Sequence, residues 1–203
     1  MHKSSAVNRW RAQVTQHRVA FALLAGFLAT HIATITGYWY PVWNWPKMDY
    51  GVLNGIILVP KEDPTTQFVI GMIAHYGTGM CFALIYAFLI HPLLPGPNTV
   101  PANVIKALAF GMLLATFACL LWIPGNFPQL HAGFFMHNLG WQTIAATYLW
   151  HVFYAVHLGA LYSPLPEAAE PDPAPSLLPA SALAGADGHH HQAGRRRQLT
   201  EAP

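Results

Sequence analysis

The chain has 203 residues, of which 54% are hydrophobic and only 9% charged, with a formal net charge of +2. Soluble domains carry about 25% charged residues, so this composition excludes an ordinary water-soluble globule, and so small a net charge provides no basic face for nucleic acid. All eight acidic residues lie outside the long apolar runs: Asp49, Glu62 and Asp63 in one connection, and Glu167, Glu170, Asp172, Asp187 and Glu201 toward the end.

Residues 1–17 read as a short polar, basic lead-in. Four apolar segments follow, near 18–39, 68–90, 104–123 and 139–162, each able to supply the roughly 20 residues that cross a hydrocarbon core. They predict an all-α fold: one domain over 18–162, an integral membrane four-helix antiparallel bundle. The first segment is too long for a signal peptide, and no small-x-small cleavage site follows it before the aromatic cluster, so it is expected to be retained. Ala25, Ala29, Ala33 and Gly37 form an i+4 row of small residues on that segment, and Gly71, Ala74, Gly77, Thr78 and Gly79 give the second a similarly small surface. Small residues let membrane helices approach closely.

The connection 40–67 opens with a dense aromatic group, Tyr38, Trp39, Tyr40, Trp43 and Trp45. Trp and Tyr favour the membrane interface because an apolar ring carries a polar tip. The apolar run 52–59 is too short to span; it is expected to lie in the interface or to pack on the bundle. Pro92, Pro95, Pro97 and Pro101 make the connection 91–103 a stiff turn. The uncharged connection 124–138 carries His131 and His137. From Ser163 onward the chain is rich in Pro, Ala and Ser, with His189, His190, His191 and the triplet Arg195, Arg196, Arg197. That composition offers no core, so 163–203 is expected to be a disordered cytoplasmic tail.

Basic residues set the orientation. With the N-terminus inside, Lys3, Arg9, Arg11, Arg18, Lys106 and the arginine triplet are cytoplasmic, and only Lys47 and Lys61 are external. Both termini are therefore expected in the cytoplasm. Cys81 and Cys119 come out roughly 10 Å apart in depth, too far for a disulfide.

Histidine is the one ionisable residue inside the spans away from their ends, and intramembrane ionisable groups mark function by default. His31 and His75 come out in one layer, roughly 10 Å below the outer face by helix rise, with His151 near mid-membrane and His157 in the inner half. Level histidines on neighbouring helices can hold a b-type haem or a pigment; Gly71 is expected to free room for the macrocycle. Thr34 and Thr78, each three residues after its histidine, are the expected partners of the second ring nitrogens. Copper is the other candidate, with His131 or His137 reaching down from the outer loop and Met72 or Met136 nearby. The bland alternative has every histidine hydrogen-bonded to protein with nothing between them. No nucleophile–base set and no phosphate-cradling glycine loop occurs, so no catalytic activity of its own is expected.

The fourth span reads His151-Val-Phe-Tyr154-Ala-Val-His157-Leu158-Gly159-Ala160-Leu-Tyr162. It resembles the closing motif His-x-x-Tyr-(Gly/Ala)-x-x-Leu-Gly-Ala-x-Tyr of an uncharacterised bacterial family of four-helix inner-membrane proteins. Gly37-Tyr38-Trp39 closing the first span, Ile70-Gly71 opening the second and the turn from Pro92 to Pro97 are similar too. His157 stands where the family usually has an apolar residue. The resemblance implies the fold and a bacterial inner-membrane location, and it carries no activity over. The expected role is a non-catalytic multi-pass subunit of a respiratory, photosynthetic or other redox complex, in contact with lipid and with other membrane subunits. The alternative is a haem-, pigment- or copper-binding protein that uses His31, His75 and His151, with His131 and His137 as metal candidates.

Overall fold

The structure is a computed structural model and describes residues 5–166; residues 167–203, with their histidine and arginine runs, lie outside the described residues. Every regular element in the described residues is helical. Four helices are long and apolar enough to cross a membrane: Arg18–Trp43, Pro64–Leu93, Val100–Asn126 and Trp141–Leu161. Their mean hydropathies run from 1.3 to 2.2.

The elements are α1 (Ala6–Gln16), α2 (Arg18–Trp39), α3 (Tyr50–Leu58), α4 (Pro64–Leu93), α5 (Val100–Asn126) and α6 (Trp141–Leu161). Local chemistry fixes where they begin. Asp63 accepts the N–H groups of Thr65 and Thr66 at the start of α4, with Pro64 in the first turn, and Thr99 accepts Ala102 N at the start of α5. These are the residues that satisfy orphan donors at a helix N-terminus. Hydropathy alone placed both starts at about residues 68 and 104; the caps extend each helix a full turn earlier. Near their far ends α4 and α5 widen into π turns at Tyr86–Ile90 and Ala118–Trp122, each just before a proline-containing stretch. An X-Pro step removes a backbone donor, and the wider turn accommodates the break.

Two expectations are corrected at the ends of the chain. The lead-in is not merely a polar stretch: α1 buries Val14 completely, and Trp10 Nε1 donates to Leu161 O at 2.9 Å. Residues 163–166, expected to begin the tail, are tied down as well. Arg11 donates to the carbonyls of Ser163, Pro164 and Asn98, and Leu165 N donates to Thr15 Oγ1.

In the bundle α2 packs on α4 and α6, and α5 packs on α6. Helix α2 presents the small-residue row Ala22, Ala25, Ala29 and Ala33, all buried. Close approach is absolute at Gly26, where a Cβ would stand 2.6 Å from Ala83 Cβ and 2.9 Å from Gly79 O. Helix α3 lies against α4, which is the packing alternative expected for the short apolar run. Gly71 makes this possible, since a Cβ there would overlap Gly51 O and stand 2.5 Å from Gly55 N. The room at Gly71 is therefore filled by the α3 backbone, not kept for a macrocycle.

Helices α4 and α5 differ from the other neighbours. They approach each other through the π turn and last turn of α4 against the start of α5, and nowhere closely along their middles. The edge-on contact of Phe82 with Phe110, 6.5 Å between ring centres, closes the gap from the α1 side. Above it the bundle is open.

Candidate functional site

That opening is a cavity of about 120 Å³, walled by Tyr50 and Asn54 of α3, His75 and Phe82 of α4, and Trp150 and His151 of α6, with α5 completing it. His75 stands eleven residues after Pro64 and His151 ten after Trp141. At 1.5 Å per residue these are roughly 16 and 15 Å from helix ends on the same side, so the two rings are level. Hydropathy boundaries had set them at different depths. The Asp63-Pro64 cap is the sequence signal that corrects this.

Both histidines are buried, 6% and 8% exposed, and both flank the indole of Trp150, with ring centres 5.4 and 5.1 Å away. Their hydrogen bonds assign their protons. His151 Nδ1 lies 2.8 Å from Thr147 O, and a carbonyl only accepts, so Nδ1 carries the hydrogen. Thr34 Oγ1 donates its single proton to Thr30 O at 2.7 Å and therefore accepts from His75 Nε2 at 2.9 Å. In the neutral ring this leaves His75 Nδ1 and His151 Nε2 as bare lone pairs. Neither nitrogen is engaged by any hydrogen bond among the described residues.

The surroundings fix these rings. Tyr50 stacks on His75 at 5.6 Å with planes 14° apart, and Tyr154 stacks on Trp150 at 6.0 Å with planes 7° apart. Tyr154 Oη donates to Gly79 O at 2.8 Å, joining α6 to α4 through the bundle centre. Three buried polar atoms nearby, Tyr40 Oη, Tyr50 Oη and Trp150 Nε1, have no protein partner. The Tyr50 hydroxyl lies near that of Thr147, which donates to Thr143 O instead. Burial pushes the Tyr50 phenol above its ordinary value, with nearby Cys119 and Tyr40 adding to the effect, so it remains a donor.

The other candidates sit elsewhere. His31 is exposed and shares a hydrogen bond of 2.6 Å with Tyr76 Oη. Thr34, its expected partner, serves His75 across the helix interface, and Thr78 makes no bond to His75. The cavity thus joins His75 to His151 and leaves His31 on the outer surface of the bundle. His131 and His137 are both exposed. Met72 packs on Gly51 and Tyr38, and Met136 is buried in a separate cluster with Cys119 and Phe127. No group of three His, Cys, Asp or Glu able to hold a metal occurs among the described residues. His157 donates to Phe153 O.

A second polar cluster lies at the α1 side. His91 Nε2 meets Asn103 Oδ1 at 3.1 Å, Asn103 Nδ2 donates to Ser163 Oγ at 2.9 Å, and Tyr86 Oη donates to Asn103 O. Arg18 Nε reaches Tyr162 Oη, and Lys106 Nζ donates to Gly96 O. Backbone carbonyls and hydroxyls absorb these cations, and the cluster closes the ends of α4, α5 and α6. On the α3 side Lys47 pairs with Asp49 at 2.8 Å. Burial raises the Asp49 carboxyl, but the Lys47 ammonium, Val52 N–H and Tyr38 hydroxyl hold it below the usual carboxylate value.

Compared with known proteins, the chain matches no family model, no curated protein and no solved structure.

Proposed function

We propose that the chain is a multi-pass subunit of a membrane redox assembly, and that its own contribution is to hold one small ligand between α3, α4, α5 and α6. His75 and His151 are the ligand-facing pair. One observation carries the reading: two buried, level imidazoles each spend one nitrogen on the protein and keep the other unengaged beside the same cavity. Neither nitrogen is among the sealed, unpartnered atoms, so both stay open to the cavity, and a ligand that meets both gains two hydrogen bonds of about 0.5–1.5 kcal/mol each. Intramembrane polar groups set up in this way favour binding over packing.

The subunit role is supported by the apolar surface on the α3 side, where Val42 is 71% exposed, Phe134 84% and Trp141 64%. Interfacial lipid is served by the same surface. The α1 side, carrying Arg9, Arg11, Arg18 and Lys106, is assigned to the cytoplasm of a bacterial inner membrane, and the α3 side to the exterior.

The test uses the full chain purified from its membranes in polymer-bounded lipid discs. Small molecules are extracted and compared with those from a Thr78→Phe variant, in which an exposed residue on the cavity wall is enlarged to fill it. A species present near one per protein and lost in the variant supports the reading. Equal content in both, or nothing beyond bulk lipid in either, overturns it.

A further inference from the structure

We infer that the cavity takes the head ring of a lipid-soluble hydroquinone, with its hydroxyls donating to His75 Nδ1 and His151 Nε2; this rests on the binding reading above. Three features of the site select that class.

The first is hydrogen-bond polarity. Both free nitrogens are acceptors, because the protons of the two rings are committed to Thr34 Oγ1 and Thr147 O. The matching ligand brings two O–H donors. A hydroquinone has them on opposite ends of one ring, while the oxidised quinone has only acceptors and faces two lone pairs. The unpartnered donors of the wall, Tyr50 Oη and Trp150 Nε1, are sealed within the packing and out of a ligand's reach, whereas neither histidine nitrogen is among the sealed atoms, so the site favours the reduced form.

The second is size. About 120 Å³ is comparable to the roughly 150 Å³ of an engineered apolar cavity that takes benzene. One six-membered ring fits, and a four-pyrrole macrocycle does not. A tetrahedral ion such as zinc would find two nitrogens where it wants four donors, with no third His, Cys, Asp or Glu grouped with them among the described residues; copper(I), which accepts two nitrogens, is distinguished by titration.

The third is access. The opening lies between α4 and α5, which do not pack along their middles, and Phe117 at its edge is 45% exposed. A ring entering from the hydrocarbon layer leaves an apolar tail in that gap, in contact with Phe82, Leu114 and Phe117. Aromatic walls on α3 and α6 receive the flat head.

The experiment titrates the full chain, in discs of synthetic lipid free of quinone, with a benzohydroquinone bearing a decyl chain and separately with its quinone. Tryptophan fluorescence is read, since Trp122 and Trp150 line the site. The expected result is saturable hydroquinone binding, at least about fivefold tighter than quinone, the factor that one lost hydrogen bond of about 1 kcal/mol implies. His75→Ala and His151→Ala each weaken it by about tenfold, and Thr78→Phe abolishes it; Thr78 is exposed, so the fold does not depend on it. Haemin and copper(I) are titrated in parallel. Tighter binding of quinone than of hydroquinone, or hydroquinone binding indifferent to both histidines, overturns the inference. Haemin or copper binding that needs both histidines, with hydroquinone inert, overturns the ligand class and leaves the binding reading standing. No Thr78-sensitive binding of any probe removes both.

Discussion

Thr34→Val removes the acceptor that fixes His75 while keeping the shape of the side chain. Thr34 is 3% exposed, so no solvent replaces its hydroxyl. His75 Nε2–H then loses the one partner it has among the described residues, and the proton is free to move to Nδ1, which takes the lone pair out of the cavity. Side-chain hydrogen bonds inside bilayers average about 0.6 kcal/mol and reach about 1.7 kcal/mol. The unfolding equilibrium should shift by about threefold to about twentyfold. Thr34→Ser, which keeps the hydroxyl, should stay near wild type. Nitrogen NMR of histidine-labelled protein in lipid discs reads the tautomer, and detergent-driven unfolding reads the stability. Wild type should show His75 protonated on Nε2, and Thr34→Val a mixture with lower stability. A wild-type His75 protonated on Nδ1, or a valine variant unchanged in both readouts, refutes the proton assignment on which the site rests.

Gly71→Ala should detach α3, because its Cβ overlaps Gly51 O; overpacking of this kind costs about 1–3 kcal/mol. Hydrogen exchange of the α3 amides should quicken there and stay unchanged in Gly77→Ala, where nothing lies within 4 Å. Asp63 is held below the usual carboxylate value by the Thr66 hydroxyl and the N–H groups of Thr66 and Thr65. Its stabilisation is thus complete above the unfolded value of about 3.9 and is lost as pH falls through the lower folded value. Amide exchange in the first turn of α4 should accelerate below about pH 4 in wild type and show no such step in Asp63→Asn, which still caps. Asn103→Leu strands His91 Nε2, Ser163 Oγ and their neighbours, so it should lower stability by about 1–3 kcal/mol; unfolding in detergent measures it. For topology, a cysteine placed at Gln129 should be labelled from outside intact cells and one at Thr99 should not.

The four spans were legible because a run of some twenty apolar residues has few other uses. The Ala25, Ala29, Ala33 and Gly37 row correctly marked the buried face of α2. What stayed hidden depended on partners far away in sequence. Gly71 looked like room for a cofactor; only the fold shows α3 occupying it. Thr34 was assigned to His31 by spacing along one helix, yet its hydroxyl crosses to His75 forty-one residues on. The His75–His151 pair was missed because hydropathy sets helix ends by lipid preference, whereas the cap at Asp63 sets them by hydrogen bonding. Helix α1 was unreadable for a related reason: its anchors, the carbonyls of Leu161, Ser163 and Pro164, are backbone groups that carry no sequence signature.

The central claim is that the space between His75 and His151 is a binding site, and a cryo-electron-microscopy map of the protein in native lipid discs tests it most directly. The account predicts density for a compact ring in the cavity, within hydrogen-bond reach of His75 Nδ1 and His151 Nε2, with a tail leaving between α4 and α5. A cavity closed by inward movement of Trp122 or Phe117, with both nitrogens bonded to protein, would contradict it.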